Sequence, residues 1–269
     1  MPPTDIVFAS RNNVRVKQLR GAFAGRARLS GGLVAIEGNH LLEEALRSGM
    51  LLKTIFLAGH RSLPEYAPSS IEVLRLTDDV FESVVDTRSP QGVAALLIPP
   101  VAAIDSLMGG VPLILIAVAL QDPGNLGTLV RSAEAFGASG ILTTPGTVSP
   151  WNGKALRASV GSIFRVPVAT ADLEAVNALK RRGLKLLAAT REGVGSDETW
   201  ELGDVDLTGS VAILVGNEGA GLDPEWLQIA DGRITVPCAG PVESLNAAVA
   251  GSIILYEAHR QRARVGVRP

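Results

Sequence analysis

Short apolar runs and stretches of helical periodicity alternate along this chain, and they do so differently in its two halves. In the first half the apolar runs are brief. Those at 33–36, 54–58 and 71–76 read as strands, and 11–25 reads as a helix with basic residues at helical spacing. In "GNHLLEEALRSG" the pattern predicts a helix that starts near Asn39 as its cap and stops at Gly49. "IPPVAAIDSLMGGVP", residues 98–112, carries Pro and Gly towards both ends and reads as a joint. Beyond it, apolar strands at 113–120, 140–143, 184–189 and 211–215 interleave with helical stretches at 126–136, 172–182 and 243–260. Ile234, Thr235 and Val236, all β-branched, add a short extended piece. Such regular alternation predicts an α/β domain with a mostly parallel sheet and helices on both faces. The first half predicts a smaller α/β unit. The expected division is 1–100, a linker at 101–112, and 113–269, with no internal repeat or low-complexity segment.

Composition narrows the class. Hydrophobic residues make up 46% of the 269 and charged residues 19%, the balance of an ordinary soluble, core-forming chain. Aromatics, at 4%, are too few for a platform that stacks single-stranded bases. Cys238 is the only cysteine, which excludes an intrachain disulfide or a Cys-based zinc site and fits a reducing cytosol. The opening "MPPTDIVFASRNN" lacks the basic region and long apolar stretch of a signal peptide. Val111–Leu120, the most hydrophobic run, is too short to span a bilayer. A cytoplasmic protein without a membrane partner is expected.

The net charge of −2 gives no whole-chain argument for nucleic acid. Locally the balance differs. Arg11, Arg15, Lys17, Arg20, Arg26 and Arg28 share a stretch with no acid, which suits phosphate tracking, although a solvated face is the simpler reading. Lys180, Arg181, Arg182 and Lys185 form a second cluster, and Arg260, Arg262, Arg264 and Arg268 a third. Both read as solvated faces.

In parallel α/β sheets, ligands gather at loops leaving the carboxyl ends of the strands. Three such segments are rich in polar residues. The first, "QDPGNLGTLVRSAEAFGA" (121–138), opens with turn chemistry, and Asn125 reads as the cap of the helix that follows. Arg131, among Leu129, Val130 and Ala133, reads as a half-buried guanidinium that needs a carboxylate, phosphate or carbonyl partner. The second, "ILVGNEGAGL" (213–222), is a glycine-rich turn after a buried strand. It is neither a Walker A loop, which needs Lys and a hydroxyl residue, nor a dinucleotide fingerprint, because its glycines fall as G-x-x-G-x-G. A tight strand-to-helix turn with glycine at positive φ stays open for it. Glu218 in this loop is either solvated or a partner for Arg131. The third segment, "VPCAGPVESLNAAVAGSIILYEA" (236–258), bends at Pro237, Gly240 and Pro241, then opens a long helix at Glu243, Ser244, Leu245 and Asn246. Ser244 and Asn246 also suit a plain helix start. Cys238 reads as a small buried thiol with no His nearby to activate it. His40, His60 and His259 are scattered and suggest neither a triad nor a metal site.

Taken together and in this order, "DPGNLGTLVRSAEAFGA", "LVGNEGAGL" and "VPCAGPVESLNAAVA" resemble the three motifs of the SpoU (TrmH-like) family. These are S-adenosylmethionine-dependent RNA ribose 2′-O-methyltransferases of the SPOUT superfamily. The resemblance covers about 113–260. "VAIEGNHLLEEALRSG" and "TRSPQGVAALL" in the first half resemble the family's RNA substrate-binding domain, a small ribosomal-protein-like α/β unit. The resemblance implies a deep trefoil knot at the C-terminal end of the sheet, a rare exception to unknotted topology. It implies that backbone groups of Gly216, Val236 and Leu245 hold the adenosine of S-adenosylmethionine, and that Asn125, Arg131, Glu218, Ser244 and Asn246 form the catalytic set. Arg131 then acts on the 2′-OH or, since guanidinium stays protonated, clamps the adjacent phosphate, held in place by Glu218. In this family two subunits pack through the knotted region and complete each other's sites, so a homodimer is expected. Large-subunit rRNA is the expected substrate, with tRNA next; no metal is called for. Ser132 stands where Thr is usual, Cys238 where Met is usual and Ala248 where a small hydroxyl residue is frequent, and each keeps roughly the required size. Two rival readings are an RNA-binding ribosome-assembly factor with a vestigial pocket and a SPOUT enzyme methylating a base nitrogen. Cofactor binding separates the first, and the N-x(5)-R spacing of Asn125 and Arg131 speaks against the second.

Overall fold

The computed structural model describes residues 7–26, 32–59, 61–191, 199–240 and 244–267. They divide into two compact units: one runs to Pro100 and also takes Trp151–Phe164, and the other holds Val101–Pro150 and the chain from Arg165 onward. Arg28, His60, Pro241, Glu243 and Arg268 lie outside the described residues.

The first unit contains β1 (Val7–Phe8), α1 (Val14–Phe23), β2 (Val34–Glu37), α2 (Asn39–Arg47), β3 (Leu52–Ala58), β4 (Glu72–Leu76), α3 (Asp78–Glu82) and β5 (Val93–Leu97). Its sheet has the order β1-β4-β3-β5-β2. It is mixed, because β5 runs antiparallel to both β2 and β3 while β3, β4 and β1 are parallel. Asn13 caps α1, its Oδ1 accepting from Arg15 N at 2.8 Å. The cap of α2 is Gly38 rather than Asn39. Gly38 sits at φ 100°, a turn conformation that disfavours side chains, and Asn39 is already helical, its N–H bonded to Gln91 Oε1. Val16, Leu19, Phe56, Phe81 and Leu96 meet in this unit's core.

In the second unit the elements are β6 (Leu113–Ala117), α4 (Pro123–Ala135), β7 (Gly140–Thr143), α5 (Gly153–Ser159, within the stretch grouped with the first unit), β8 (Val168–Thr170), α6 (Leu173–Arg181), β9 (Lys185–Ala189), β10 (Thr199–Glu201), β11 (Val211–Val215), α7 (Pro224–Ile229), β12 (Gly232–Thr235) and α8 (Ala247–Arg264). Seven strands lie in the order β10-β12-β9-β11-β6-β7-β8, every described pairing parallel. The central strands β6 and β11 are buried throughout, which is why their sequences are unbroken apolar runs. The stretch expected as a linker at 101–112 is packed, because Leu107 is fully buried in this unit's core. Gly140 makes room for it: a Cβ there would lie 2.8 Å from Leu107 Cγ.

The last helix, α8, is fixed at three points. Gly251 lets α4 approach closely, since a Cβ would lie 2.6 Å from Leu129 Cδ2, and Ser132 and Ser252 share a hydroxyl bond at 2.6 Å. Near its end Arg262, only 5% exposed, donates to the carbonyls of Leu207 (3.0 Å), Val111 (2.8 Å), Pro112 (3.1 Å) and Gly209. Burial lowers its pKa from the usual guanidinium value. The expected solvated tail is therefore a structural pin at Arg262, and Arg260 beside it pairs with Glu257. No helix among the described residues is long and apolar enough to cross a membrane.

Candidate active site

The strands β12, β9, β11 and β6 are neighbours, so the loops leaving their carboxyl ends converge. Between them and the start of α8 lies a cavity of about 250 Å³. Gly216, Val236 and Leu245 all line it, together with Glu218, Ser244 and Cys238. Its apolar wall comes from Val215, Leu222, Leu227, Ile234, Ala250 and Ile254. Cys238 is half-buried rather than enclosed, because its loop edge opens on this cavity.

The glycine loop closes on itself. Asn217 and Gly221 exchange two backbone hydrogen bonds, at 2.9 and 3.0 Å, and Gly221 takes φ 74° to allow the turn. Gly216 has a different reason to be glycine. A Cβ there would meet the Gly221 carbonyl group and lie 2.7 Å from Leu222 N. Close backbone approach, with no left-handed φ at Gly216, excludes a side chain. Asn217, missed as a site residue, holds the loop: its Oδ1 accepts from Gly219 N and Ala220 N, and its Nδ2 donates to Ala119 O. Ala119, in the loop after β6, is at φ 50°, a strained conformation for a non-glycine residue, and Thr144 Oγ1 accepts from its N–H. Gly216→Ala is accordingly expected to force the loop open, costing ~1–3 kcal/mol of stability as an overpacked site does. Calorimetry should show ligand affinity in the cavity falling with it, and unchanged affinity would remove Gly216 from this role.

Glu218 joins the three segments. Its carboxylate accepts from Asp122 N (2.9 Å), Gln121 N (3.2 Å) and Asn125 Nδ2 (3.0 Å). Asn125 Oδ1 in turn accepts from Asn246 Nδ2 at 3.0 Å. Burial alone raises the Glu218 pKa, but the bonds from Asn125, Asp122 and Gln121 outweigh it and hold the carboxyl below its ordinary value. With the folded pKa depressed, this contribution to stability is present at neutral pH and is lost as pH falls through that pKa. Asn246 also serves as the cap of α8, its Oδ1 accepting from Ala248 N and Val249 N. One side chain therefore both starts the helix and bonds to Asn125.

Two expectations need correction. The cap of α4 is Asp122, whose Oδ1 accepts from Asn125 N, because Pro123 takes the first helical position and leaves Asn125 inside the first turn. Arg131 does not pair with Glu218, which accepts from Gln121, Asp122 and Asn125 instead, and it is exposed rather than half-buried. Six helical residues beyond Asn125, it lies about 9 Å along α4 and about 120° around it. Among the described residues Arg131 makes no hydrogen bond or ion pair. The basic clusters are also rearranged by the fold. Acids distant in sequence meet two of the N-terminal cations, Arg15 with Glu72 at 2.9 Å and Arg11 with Asp79 at 4.0 Å. Lys180 pairs with Asp231, Arg182 with Asp105, and Lys185 lies over the Trp200 ring.

The cavity suits the adenosine that the resemblance implies. It is small for a ligand pocket, which typically measures roughly 300–1,000 Å³, and its walls mix apolar side chains with the polar Arg191, Asn217, Glu218, Thr235 and Ser244. Thr190, just after β9, is a lining residue whose hydroxyl is itself shut off from solvent and has no partner among the described residues. Thr190 was not anticipated, since a Thr closing an apolar strand carries no distinctive sequence signal.

Comparison with known proteins agrees with this architecture. Residues 112–256, more than half of the chain, match the model of the SpoU rRNA Methylase family, and residues 13–95 match that of an MRM3-like substrate binding domain. The chain is 35% identical over 249 residues to the Bacillus subtilis 23S rRNA (guanosine(2553)-2′-O)-methyltransferase RlmP, covering 92% of this chain and 96% of that protein. The crystal structure of the SpoU methyltransferase AviRb from Streptomyces viridochromogenes in complex with AdoMet superposes with a TM-score of 0.83 at 27% identity, covering 94% of this chain and 99% of the other. An AdoMet-bound rRNA methyltransferase from Sinorhizobium meliloti gives a TM-score of 0.83 at 28% identity, over 95% and 97% of the two chains. Sequence motifs, a parallel sheet with a cavity at its carboxyl end, and full-length relatives converge, and the chain belongs to the SpoU rRNA methylase family.

Proposed function

We propose that this chain, an S-adenosylmethionine-dependent RNA 2′-O-ribose methyltransferase, modifies large-subunit ribosomal RNA, in the cytoplasm and as a homodimer. The observation that carries the reading is the cavity shared by Gly216, Val236 and Leu245, bordered by the Glu218–Asn125–Asn246 network. S-adenosylmethionine, when bound, supplies an electrophilic methyl group. The chain's task is then to position a ribose hydroxyl in line and help its proton leave. Glu218, Asn125 and Asn246 hold the three loops in register, and Ser244 reaches from the third loop towards substrate. Arg131 clamps the phosphate next to the target ribose, and the proton passes to that phosphate or to water.

A second copy supplies what one chain lacks. Val249, Ile253 and Tyr256 on α8 are 46%, 36% and 51% exposed at i, i+4 and i+7, with Phe136 edge-on to Tyr256 at 5.6 Å. An apolar stripe of this kind on a helix suits burial against its own copy. The family's arrangement, in which subunits complete each other's sites, also accounts for an exposed Arg131 without a partner among the described residues of its own chain. On α1, Lys17 and Arg20 have no ion pair among the described residues and are available to RNA phosphates, whereas Arg11 and Arg15 are partly neutralised.

The test is a map of 2′-O-methyl sites in total RNA from wild-type and deletion strains. Loss of a single large-subunit position in the deletion strain is expected. Loss from tRNA would overturn the assigned substrate, and an unchanged map together with no transfer by the purified protein would overturn the function.

A further inference from the structure

Among the described residues two other than glycine take a positive φ, Ala119 at 50° and Val160 at 51°. Val160 follows α5, and helices commonly end in the left-handed conformation. Ala119 instead lies in the loop after β6. A side chain resists that conformation, which persists only where the surroundings over-determine it. Here they do so on both sides of the residue. The Ala119 N–H donates to Thr144 Oγ1 at 3.0 Å, and the Ala119 carbonyl accepts from Asn217 Nδ2 at 3.0 Å. Each of the two peptide planes that flank Ala119 is therefore held by a side chain. The chain is also fixed before and after it: Val118 N donates to Val215 O and Val148 N to Leu120 O, both at 2.8 Å. Next come the Gln121 and Asp122 N–H groups that donate to Glu218.

We propose that Thr144 and Asn217 are positioning residues for methyl transfer: by holding Ala119 left-handed, they aim the N–H groups of Gln121 and Asp122 at Glu218. The inference rests on the reading above, in which the Glu218–Asn125–Asn246 network keeps the three loops in register for the reaction. With Ala119 relaxed to a negative φ, the chain would turn elsewhere. The next two N–H groups would leave the carboxylate, and Asn125 would be its remaining donor. Neither positioning residue has to touch the reacting atoms. Thr144 is buried and lies outside the cavity lining, so it acts through geometry. Asn217 divides two duties between two atoms. Its Oδ1 shapes the glycine loop by accepting from Gly219 N and Ala220 N, while its Nδ2 reaches across to Ala119 O. One side chain thus ties the cofactor loop to the loop after β6. A misplacement of about 1 Å can cost a reaction on the order of 10²-fold, so such a contact governs rate more than affinity.

The experiment uses the full chain and takes two readings. Calorimetry gives the affinity for S-adenosylmethionine, and single-turnover transfer of labelled methyl to ribosomal RNA from the deletion strain, at saturating cofactor, gives the rate. Thr144→Val keeps the shape and removes the acceptor of the Ala119 N–H; Thr144→Ser keeps that acceptor. Thr144→Val should transfer methyl about tenfold more slowly or worse, with cofactor affinity within about threefold of wild type. Thr144→Ser should restore close to the wild-type rate. Asn217→Asp keeps the Oδ1 acceptor and loses the Nδ2 donor, so it should show the same split of rate from affinity, and it carries the test if Thr144→Val does not fold. Wild-type transfer by either Thr144→Val or Asn217→Asp, or equal slowing in Thr144→Val and Thr144→Ser, overturns the proposal. A loss of cofactor affinity as large as the loss of rate also overturns it, because both residues would then only support the cavity. Wild-type transfer by Glu218→Ala is a different result: it overturns the role of the network on which the proposal rests.

Discussion

Arg131→Ala is expected to leave S-adenosylmethionine affinity nearly intact while methyl transfer under single-turnover conditions falls on the order of 10²-fold or more, the usual loss when one preorganised charged contact is removed. The separation follows from position. Arg131 is on α4 and does not line the cavity, whose walls come from β9, the loops after β11 and β12, and α8. The side chain is exposed, so its truncation should move stability by no more than about 0.5 kcal/mol. Arg131→Lys should rescue little, because a point charge on a flexible stem does not reproduce the planar fork that grips a phosphate. If the Lys variant transfers methyl at close to the wild-type rate, Arg131 supplies general positive charge and the clamp is wrong. A large loss of cofactor affinity in the Ala variant would instead put Arg131 in the cofactor site.

Arg262→Met is expected to lower stability by about 2–4 kcal/mol, the loss of a buried hydrogen-bond network. Among the described residues the guanidinium has no carboxylate partner; four carbonyl oxygens accept from it. Pro112 O also accepts from Val211 N at 3.0 Å, so the loss falls mainly on the carbonyls of Leu207, Val111 and Gly209. The buried Leu207 carbonyl left without a donor costs about 1–3 kcal/mol before relaxation, and the carbonyls of the more exposed Val111 and Gly209 lose about 0.5–1.5 kcal/mol each. At about 2–4 °C per kcal/mol for a chain of this size, the melting temperature should drop on the order of 10 °C. Arg262→Lys should recover less than half of that, since one ammonium cannot span carbonyls from two separate segments. A Met variant that melts within about 2 °C of wild type would show that the neighbouring backbone finds other donors.

These two arginines show what the sequence could and could not convey. Arg131 has apolar neighbours in sequence, but on a helix adjacent positions face different ways, and Leu129, Val130 and Ala133 are buried while Arg131 is exposed. Arg262 sits in a run of alternating arginines that reads as a charged tail. Counting back by helical steps would have found it, since Ala258, Leu255 and Gly251 are all buried on the same face. The cap of α4 was legible in principle too: Asp122 and Asn125 both suit a cap, and Pro123 decides between them. The strands β7 and β11 are delimited correctly because the turn residues on either side of each short buried run leave little choice. The three-residue β8 and β10 were not found, being too short to establish any period. That Gly216, Val236 and Leu245 share one cavity came from family resemblance alone, since no periodicity relates residues so unevenly spaced.

The attachment points of α8 have a consequence for when the protein becomes competent. At one end Asn246 connects the helix to Asn125 and through it to Glu218. At the other, Arg262 gathers the chain just ahead of β6 and β11. Leu245, Ala250 and Ile254 complete the cavity wall between them. During synthesis every strand of the sheet leaves the ribosome before this helix does. The nascent chain can pair its strands but can neither wall off the cavity nor secure the ends of its two central strands. Competence therefore cannot precede this 18-residue helix, and a ribosome that stalls or terminates before it leaves a sheet without its cavity wall.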